Sequence, residues 1–315
     1  MTASAVVINF NTKALLLRCV ESLAGARERG EIDEIIVVDC DSTDGSAEAV
    51  EAAWPLIQLI RVSNRGYGAG ANAGMAAANG DSFLILNADT EVTPGAVARL
   101  AETLAKYPAV AVVGPRLVRP NGETQPSRRR FPTPLTPIFE STLIEERWPA
   151  NRWAHRYHMD ESPDDAVQSV DWVVGAAMLV RRRAVEQAGG FDERFWMFCE
   201  ETEWCHRFRR HGWRTLYDPS AAVLHHEGAS TGQDIPRRQR EFDSSRVELQ
   251  RLLFGDFVAE TVRAALMIGY AVMLVREGGK WLAGHRRPLR AARLRSYWQA
   301  LRSGLRRQEP PTVSP

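Results

Sequence analysis

The strongest constraint on the fold is a repeated passage from a short β-rich run, through polar residues, into a stretch of helical spacing. Residues 6–10 and 35–39 are runs of this kind, and residues 13–23 between them carry apolar side chains at helical intervals. The succession continues with strands expected at 57–62, 83–86 and 110–113, and helices at 69–78 and 94–106. Such alternation predicts an α/β fold with a mostly parallel sheet flanked by helices. Ligands in these sheets bind beyond the C-terminal strand ends. Asn9, Asn11, Asp39, Asp41, Asn87 and Asp89 should therefore converge on one crevice.

Hydrophobic residues make up 44% of the 315, enough for a real core and too many for a disordered chain. The net charge of +1 gives no global polyanion signal, and no nucleic-acid partner is expected. The charge is unevenly placed: residues 276–307 hold ten Lys/Arg and one acid, Glu277. A tail this basic points to an anionic surface, membrane phospholipid ahead of nucleic acid. Cys19, Cys40, Cys199 and Cys205 show no C-x-x-C spacing, which fits a reducing compartment and argues against structural zinc. The first residues already read as a strand rather than a secretion signal, so a cytoplasmic protein is expected.

Three segments carry chemistry. Residues 38–46 (VDCDSTDGS) place three carboxylates just past a strand. Asp39 there can accept hydrogen bonds from a base or a ribose, whereas Asp44 or Ser42 can equally cap the next helix. Residues 64–74 (NRGYGAGANAG) bring closely spaced glycines to a helix start, where backbone can approach an anionic ligand. The dinucleotide fingerprint is absent from this loop. Residues 84–91 (LILNADTE) deliver Asn and Asp to the end of an apolar strand, which suits a hard cation bridging phosphates or an Asx turn.

Together these segments resemble the family 2 glycosyltransferases of the GT-A fold, in particular the bacterial rhamnosyltransferase-like branch. That group runs V-D-N-x-S-x-D-G-S, N-x-G-x-G-x-x-N-x-G and N-x-D-T segments in the same order. The resemblance continues through 174–182 (VGAAMLVRR), 189–193 (GGFDE), 200–204 (EETEW) and 225–231 (HHEGAST), covering about residues 5 to 250. It implies inverting, metal-dependent transfer of a sugar, rhamnose being the first candidate, from a nucleotide-diphospho-sugar to a hydroxyl of a glycan or polyprenyl-linked acceptor. On the donor side it implies Asn9, Asn11, Asp39, Cys40 and Asp41 for base and ribose, with Asn64, Gly66, Gly70, Asn72, Asn87 and Ala88 shaping the pocket. Asp89 would hold Mg²⁺ or Mn²⁺ with His225, His226 being the second choice. Glu201 matches the catalytic base, and Trp172, Gly175, Glu200 and Arg246 fall on the acceptor side.

This chain departs from the family pattern in three places. It has Glu200-Glu201 and then Glu203 where the family has Glu-Asp followed by Asp, Cys40 where Asn or Asp is common, and Asn87 where many relatives have Asp. Arg128, Arg129 and Arg130 can meet a diphosphate or simply be solvated, and Trp172, Trp196 and Trp204 can stack on sugars or fill a core. Phe242 is a further acceptor-side candidate. Two other classes stay open: a nucleotidyltransferase, and a catalytically silent sugar-nucleotide-binding subunit of a glycan-assembly complex.

The expected organisation is a catalytic domain over 1–252 and a basic helical extension over 253–315. Residues 115–170 read as a long functional loop rather than a domain. Residues 264–275 form an uncharged run of twelve, short of the ~20 needed to span a bilayer. That leaves a packed or an interfacial helix. Leu294, Trp298, Leu301 and Leu305 share a helical face flanked by Arg293, Arg302 and Arg306, the pattern of a helix lying on a membrane. The expected location is the inner face of the cytoplasmic membrane, with homo-oligomerisation left open.

Overall fold

The computed structural model describes residues 2–226, 235–284 and 286–306, which form two compact units. Of the described residues, the first comprises 2–131, 158–195 and 200–226, and the second 132–157, 196–199, 235–284 and 286–306. The chain begins with β1 (Ala3–Asn9), α1 (Lys13–Glu28), β2 (Glu34–Cys40), α2 (Ser46–Ala53), β3 (Gln58–Val62) and α3 (Tyr67–Ala77). Next come β4 (Ser82–Asn87), β5 (Thr90–Val92), α4 (Ala96–Lys106), β6 (Val110–Val118), β7 (Thr124–Gln125) and β8 (Arg128–Arg129). Three short helices follow, α5 (Thr136–Phe139), α6 (Leu143–Arg147) and α7 (Arg152–His158). The sheet resumes with β9 (Gln168–Val170), β10 (Trp172–Val173) and β11 (Ala177–Arg181), then α8 (Arg182–Ala188), α9 (Glu200–Arg210) and β12 (Arg214–His225). The helices α10 (Ile235–Phe254), α11 (Asp256–Leu282) and α12 (Arg287–Ser303) close the chain.

The main sheet has the order β3-β2-β1-β4-β11-β6-β12-β5. Its first four strands are parallel, β11 enters antiparallel, and β12 runs parallel to β6. Every residue of β1 is buried, which explains the unbroken apolar run at its centre, Ala5–Ile8: helices cover both faces of a parallel strand. On one face, Leu16, Cys19, Val20 and Leu23 of α1 and Val97, Leu100 and Leu104 of α4 pack on Ala5, Val7, Val37, Leu84 and Leu86. On the other, α3 lies so close that a Cβ on Gly74 would sit 2.9 Å from a Val38 methyl and nearer still to Val6. The glycines of this segment thus let a helix press onto a sheet.

The second unit organises residues that have no visible period in the sequence. Phe139 stacks on Trp153 with ring centroids 4.1 Å apart, and Asn151 Nδ2 donates to the carbonyls of Phe139 and Trp148, both at 3.1 Å. Arg246 donates to the carbonyls of Pro137 and Glu140, each at 2.7 Å, and pairs with the Glu140 and Asp243 carboxylates. Tyr270 donates to Asp243 at 2.6 Å. Residues 132–157 therefore belong with the C-terminal helices, not with one long loop, and the boundary expected at 252/253 falls inside α10. The apolar face read on α12 also differs. Leu305 is buried and Leu301 packs on a core of Val247, Ala259, Val262, Leu266 and Tyr270, leaving Trp298 exposed.

Candidate active site

Parallel register puts Asn9 beside Asp39, and Ile8 beside Asn87, so three polar strand ends are adjacent. Asn9 is fully buried and its amide is committed. Nδ2 donates to Asp39 Oδ1 at 2.7 Å and to Ser42 Oγ at 3.1 Å, while Oδ1 accepts from Thr12 Oγ1 at 2.7 Å. Its work is to aim Asp39, whose other oxygen accepts from the Ser42 amide at 3.0 Å. Asn11 and Asp41 take left-handed backbone, with φ of 51° and 63°. Asn11 Oδ1 accepts from the Thr43 amide at 2.8 Å, which closes the turn, while Asp41 is exposed. Asp44 accepts from the Lys13 amide at 2.8 Å and the Ser46 amide at 3.0 Å, joining the first turns of α1 and α2 as a shared cap.

Cys40 is buried and its thiol is pushed up to about 12, first by desolvation and then by Asp39. A Cβ on Gly70 would lie 2.9 Å from Cys40 Sγ, so this pair fills the interface between α3 and the sheet. Gly66 sits at the helix start with φ 104°, a conformation that favours glycine, and Asn64 Oδ1 accepts its amide at 3.2 Å. Asn72 is a clamp. Its Nδ2 donates to the Phe191 carbonyl at 3.0 Å and to Glu193 at 3.1 Å, and its Oδ1 accepts the Phe191 amide at 2.8 Å. The G-G-F-D-E segment is thereby fixed to α3.

At the end of β4, Asn87 accepts Thr90 Oγ1 on its carbonyl at 2.8 Å, while Ala88 and Asp89 are buried. His225, the last residue of β12, brings Nε2 to 3.4 Å from Asp89 Oδ1. Its Nδ1 meets Gln125 Oε1 at 2.7 Å. An amide oxygen only accepts, so Nδ1 carries the hydrogen of the neutral ring and Nε2 turns a lone pair toward a carboxylate. A proton or a divalent cation reconciles two such atoms. One carboxylate and one oriented imidazole are a donor set that would suit a hard divalent cation. Among the described residues no group of three or more His, Cys, Asp or Glu is placed to hold a metal. His226 turns instead to Glu91 at 2.7 Å. Residues 227–231 of that motif lie outside the described residues.

The α9 helix opens with Glu200 and Glu201. Each has one carboxylate oxygen, Oε2, buried without a hydrogen-bond partner. Burial raises the Glu201 carboxyl above its ordinary value; Glu200 is raised well above, by burial first and then by the Glu201 charge. Two like charges in one low-dielectric place favour retention of a proton, the condition of a base able to accept one near neutral pH. Glu201 Oε1 accepts from the Gly175 amide at 3.3 Å, and Tyr67 Oη donates to the Gly175 carbonyl at 3.1 Å. The Tyr67 phenol is raised well above its ordinary range by burial, then by Glu200, Glu201 and Asp89. One phenol thus feels the charge of both the paired glutamates and the proposed cation ligand.

Other acids and aromatics near this motif are structural. Glu203 forms a bidentate pair with Arg207 at 3.0 and 2.6 Å. Trp204 is fully buried and donates to the Gly189 carbonyl at 2.8 Å, while Trp172 is buried and donates to the Arg130 carbonyl at 3.0 Å. Arg128 is spent on the carbonyls of Ser162 and Pro163 and on Gln168; Arg129 lowers the Glu201 carboxyl through its charge. Trp196, Phe242 and Arg246 belong to the second unit, and Arg246 is taken up by the network described above. No local pattern marks Gln125 for its role, and Tyr67 lies unremarked inside the glycine-rich segment.

Comparison with known proteins bears on this arrangement. Residues 4–187 match the model of Glycosyl transferase family 2. The N-acetylglucosaminyl-diphospho-decaprenol L-rhamnosyltransferase of Mycobacterium tuberculosis is 32% identical over 241 residues, covering 73% of this chain and 77% of that protein. Among solved structures, GalNAc-T7 with UDP, GalNAc and Mn²⁺ is similar with a TM-score of 0.54 at 18% identity, covering 71% of this chain and 43% of the other. The mannosyltransferase PcManGT from Pyrobaculum calidifontis, in complex with GDP-Man and Mn²⁺, gives 0.52 at 17% identity, covering 96% and 86%. The fold shared with these structures is GT-A.

Proposed function

This chain belongs to glycosyltransferase family 2, and from that premise we propose that it moves rhamnose from a nucleotide-diphospho-sugar to a hydroxyl of a polyprenyl-diphosphate-linked glycan. Membership in the family sets aside the nucleotidyltransferase reading. The observation that carries the proposal is the pairing of two features whose charges both bear on Tyr67. One is a carboxylate–imidazole pair whose lone pairs face each other, and the other is a buried glutamate pair with raised carboxyls. The M. tuberculosis relative's name, with its lipid-linked N-acetylglucosaminyl acceptor and rhamnosyl group, supports the choice of substrates.

The residues divide the work as follows. Asp39, aimed by Asn9, accepts hydrogen bonds from the base or ribose of the donor. Asp89 and His225 hold Mg²⁺ or Mn²⁺, with Gln125 fixing the imidazole tautomer. When bound, the cation neutralises charge that develops on the leaving diphosphate. Glu201 takes the proton of the acceptor hydroxyl, and a single displacement inverts the anomeric centre. The place of action is the inner face of the cytoplasmic membrane, where a lipid-linked acceptor is reached.

A second reading, a silent donor-binding subunit, draws on glutamate standing where the family has aspartate as base. Calorimetry with dTDP, UDP and GDP, each with and without Mn²⁺, tests the donor half. Cation-dependent binding of one nucleotide is expected; no binding of any by folded protein would overturn the site.

A further inference from the structure

We propose that the exposed apolar stripe of α11 lies in the interface of an anionic lipid bilayer, with the cations at its C-terminal end meeting lipid phosphates. This deepens, and rests on, the membrane-surface part of the proposed function. One side of α11 is occupied inside its unit by Ala259, Val262, Leu266, Tyr270 and Glu277. The other side is bare: Phe257 is 86% exposed, Ile268 65%, Val275 76% and Leu282 73%. Their separations of 11, 7 and 7 residues return to nearly the same helix angle, so they form one line along the axis. Val272, Ala264 and Ala271 fill the line and are also exposed. An apolar line of this length, crossed near its start by the exposed Thr261, marks an interaction surface.

Charge selects the occupant. Residues 278–306 contain eight Lys/Arg and no acid, and of these only Arg290 is buried, bound to Glu277. Lys280, Arg286 and Arg287 stand where α11 ends, and the Arg287 guanidinium lies 5.7 Å from the Trp281 ring centre. An apolar line ending in an aromatic and a cation cluster matches acyl chains bounded by anionic headgroups. A second copy packed parallel on this stripe would set the same cations against each other, and an antiparallel one would offer them only Asp256 and Glu260, which Arg251 and Arg263 already pair.

The helix lies in the surface rather than across it, although by length and composition α11 could span a bilayer. Its opposite side carries the Tyr270–Asp243 hydrogen bond and a fully buried Glu277 held by Arg290 and Lys280, polar bonds that a spanning helix would expose to hydrocarbon. The charge-free run of twelve residues covers about 18 Å, against ~30 Å of hydrocarbon.

The test uses full-length protein sedimented with phosphatidylcholine vesicles, with or without phosphatidylglycerol. Binding to the anionic vesicles is expected. It should fall at least about tenfold in Ile268→Glu/Val275→Glu and on the order of a hundredfold in Lys280→Gln/Arg286→Gln/Arg287→Gln. Vesicle-bound protein should be released by alkaline carbonate. Equal binding of the wild type and the Ile268/Val275 variant, binding indifferent to phosphatidylglycerol, or retention through carbonate would each overturn the proposal. So would loss of vesicle binding to competing duplex DNA at matched charge. Each sample is also titrated with the nucleotide and Mn²⁺. Donor binding without vesicle binding removes the membrane face and leaves the transferase, whereas the converse removes the donor site alone.

Discussion

Replacing Glu201 with Gln separates what the buried carboxylate does for chemistry from what it costs the fold. The amide oxygen of Gln can still accept from the Gly175 amide, now at 3.3 Å, so the side chain has a reason to stay in place. What is lost is the proton acceptor, and general-base catalysis is worth about 10²–10⁴-fold in kcat, or about 2.7–5.4 kcal/mol of barrier. Nucleotide affinity should be unchanged. Stability should move the other way with pH. Both glutamates have carboxyls raised above the ordinary 4.5, so the folded state holds protons that the unfolded state releases. The contribution of this pair to wild-type stability is therefore fully present below about pH 4.5 and is lost as pH rises through the folded values. The variant removes one charge and the repulsion it exerts on Glu200, so its melting temperature relative to wild type should climb from pH 4.5 upward. Any cost of the new amide nitrogen is a constant offset and leaves the slope intact. Thermal scans across pH 4–8 and steady-state transfer assays check both halves. Near-wild-type kcat would refute the base assignment, and a pH-independent stability difference would refute the coupled, proton-retaining pair.

Three further outcomes follow from particular contacts. Gly74→Ala drives a methyl into Val6 and Val38 and should destabilise by about 1–3 kcal/mol in urea titrations, with partial relief from an added Val6→Ala. Asp89→Asn should reduce Mn²⁺-dependent nucleotide binding to its metal-free level, measured calorimetrically, while Glu91→Gln should leave it within about twofold because Glu91 faces His226 and Arg18. Asn72→Ala removes three hydrogen bonds that fix residues 191–193 and should lower stability by about 1–3 kcal/mol, seen as a shifted urea midpoint.

The catalytic fold was legible because its strands are buried on both faces and so read as apolar runs that stop at polar residues. Asn9, Asp39 and Asn87 met at adjacent strand ends because parallel register leaves little choice. Roles were harder to read than places. Asn9 and Asn72 look like ligand contacts in sequence, but their amides are used up within the protein, a matter decided by residues 30 and 119 positions away. Gly70 reads as ligand approach and serves helix–sheet packing. Gln125 lies on a two-residue strand, 100 positions from the histidine it orients, and no local pattern announces it. Helices of four to seven residues, such as α5 to α7, are too short to show a period, so 132–157 read as a loop. On α12 the apolar face was real, but the sequence did not say that it packs inward and leaves the exposed stripe to α11.

Acceptor-dependent turnover tests the central claim most directly. Wild-type protein is given dTDP-rhamnose and Mn²⁺, with and without N-acetylglucosaminyl-diphospho-polyprenol, and both dTDP release and the glycolipid product are followed. The account predicts release coupled one-to-one to a rhamnosylated lipid, abolished by omitting the acceptor and reduced about 10²–10⁴-fold in Glu201→Gln. Donor that binds with Mn²⁺ but is never turned over, with this acceptor or with simpler N-acetylglucosaminyl lipids, would contradict it and leave a silent donor-binding subunit.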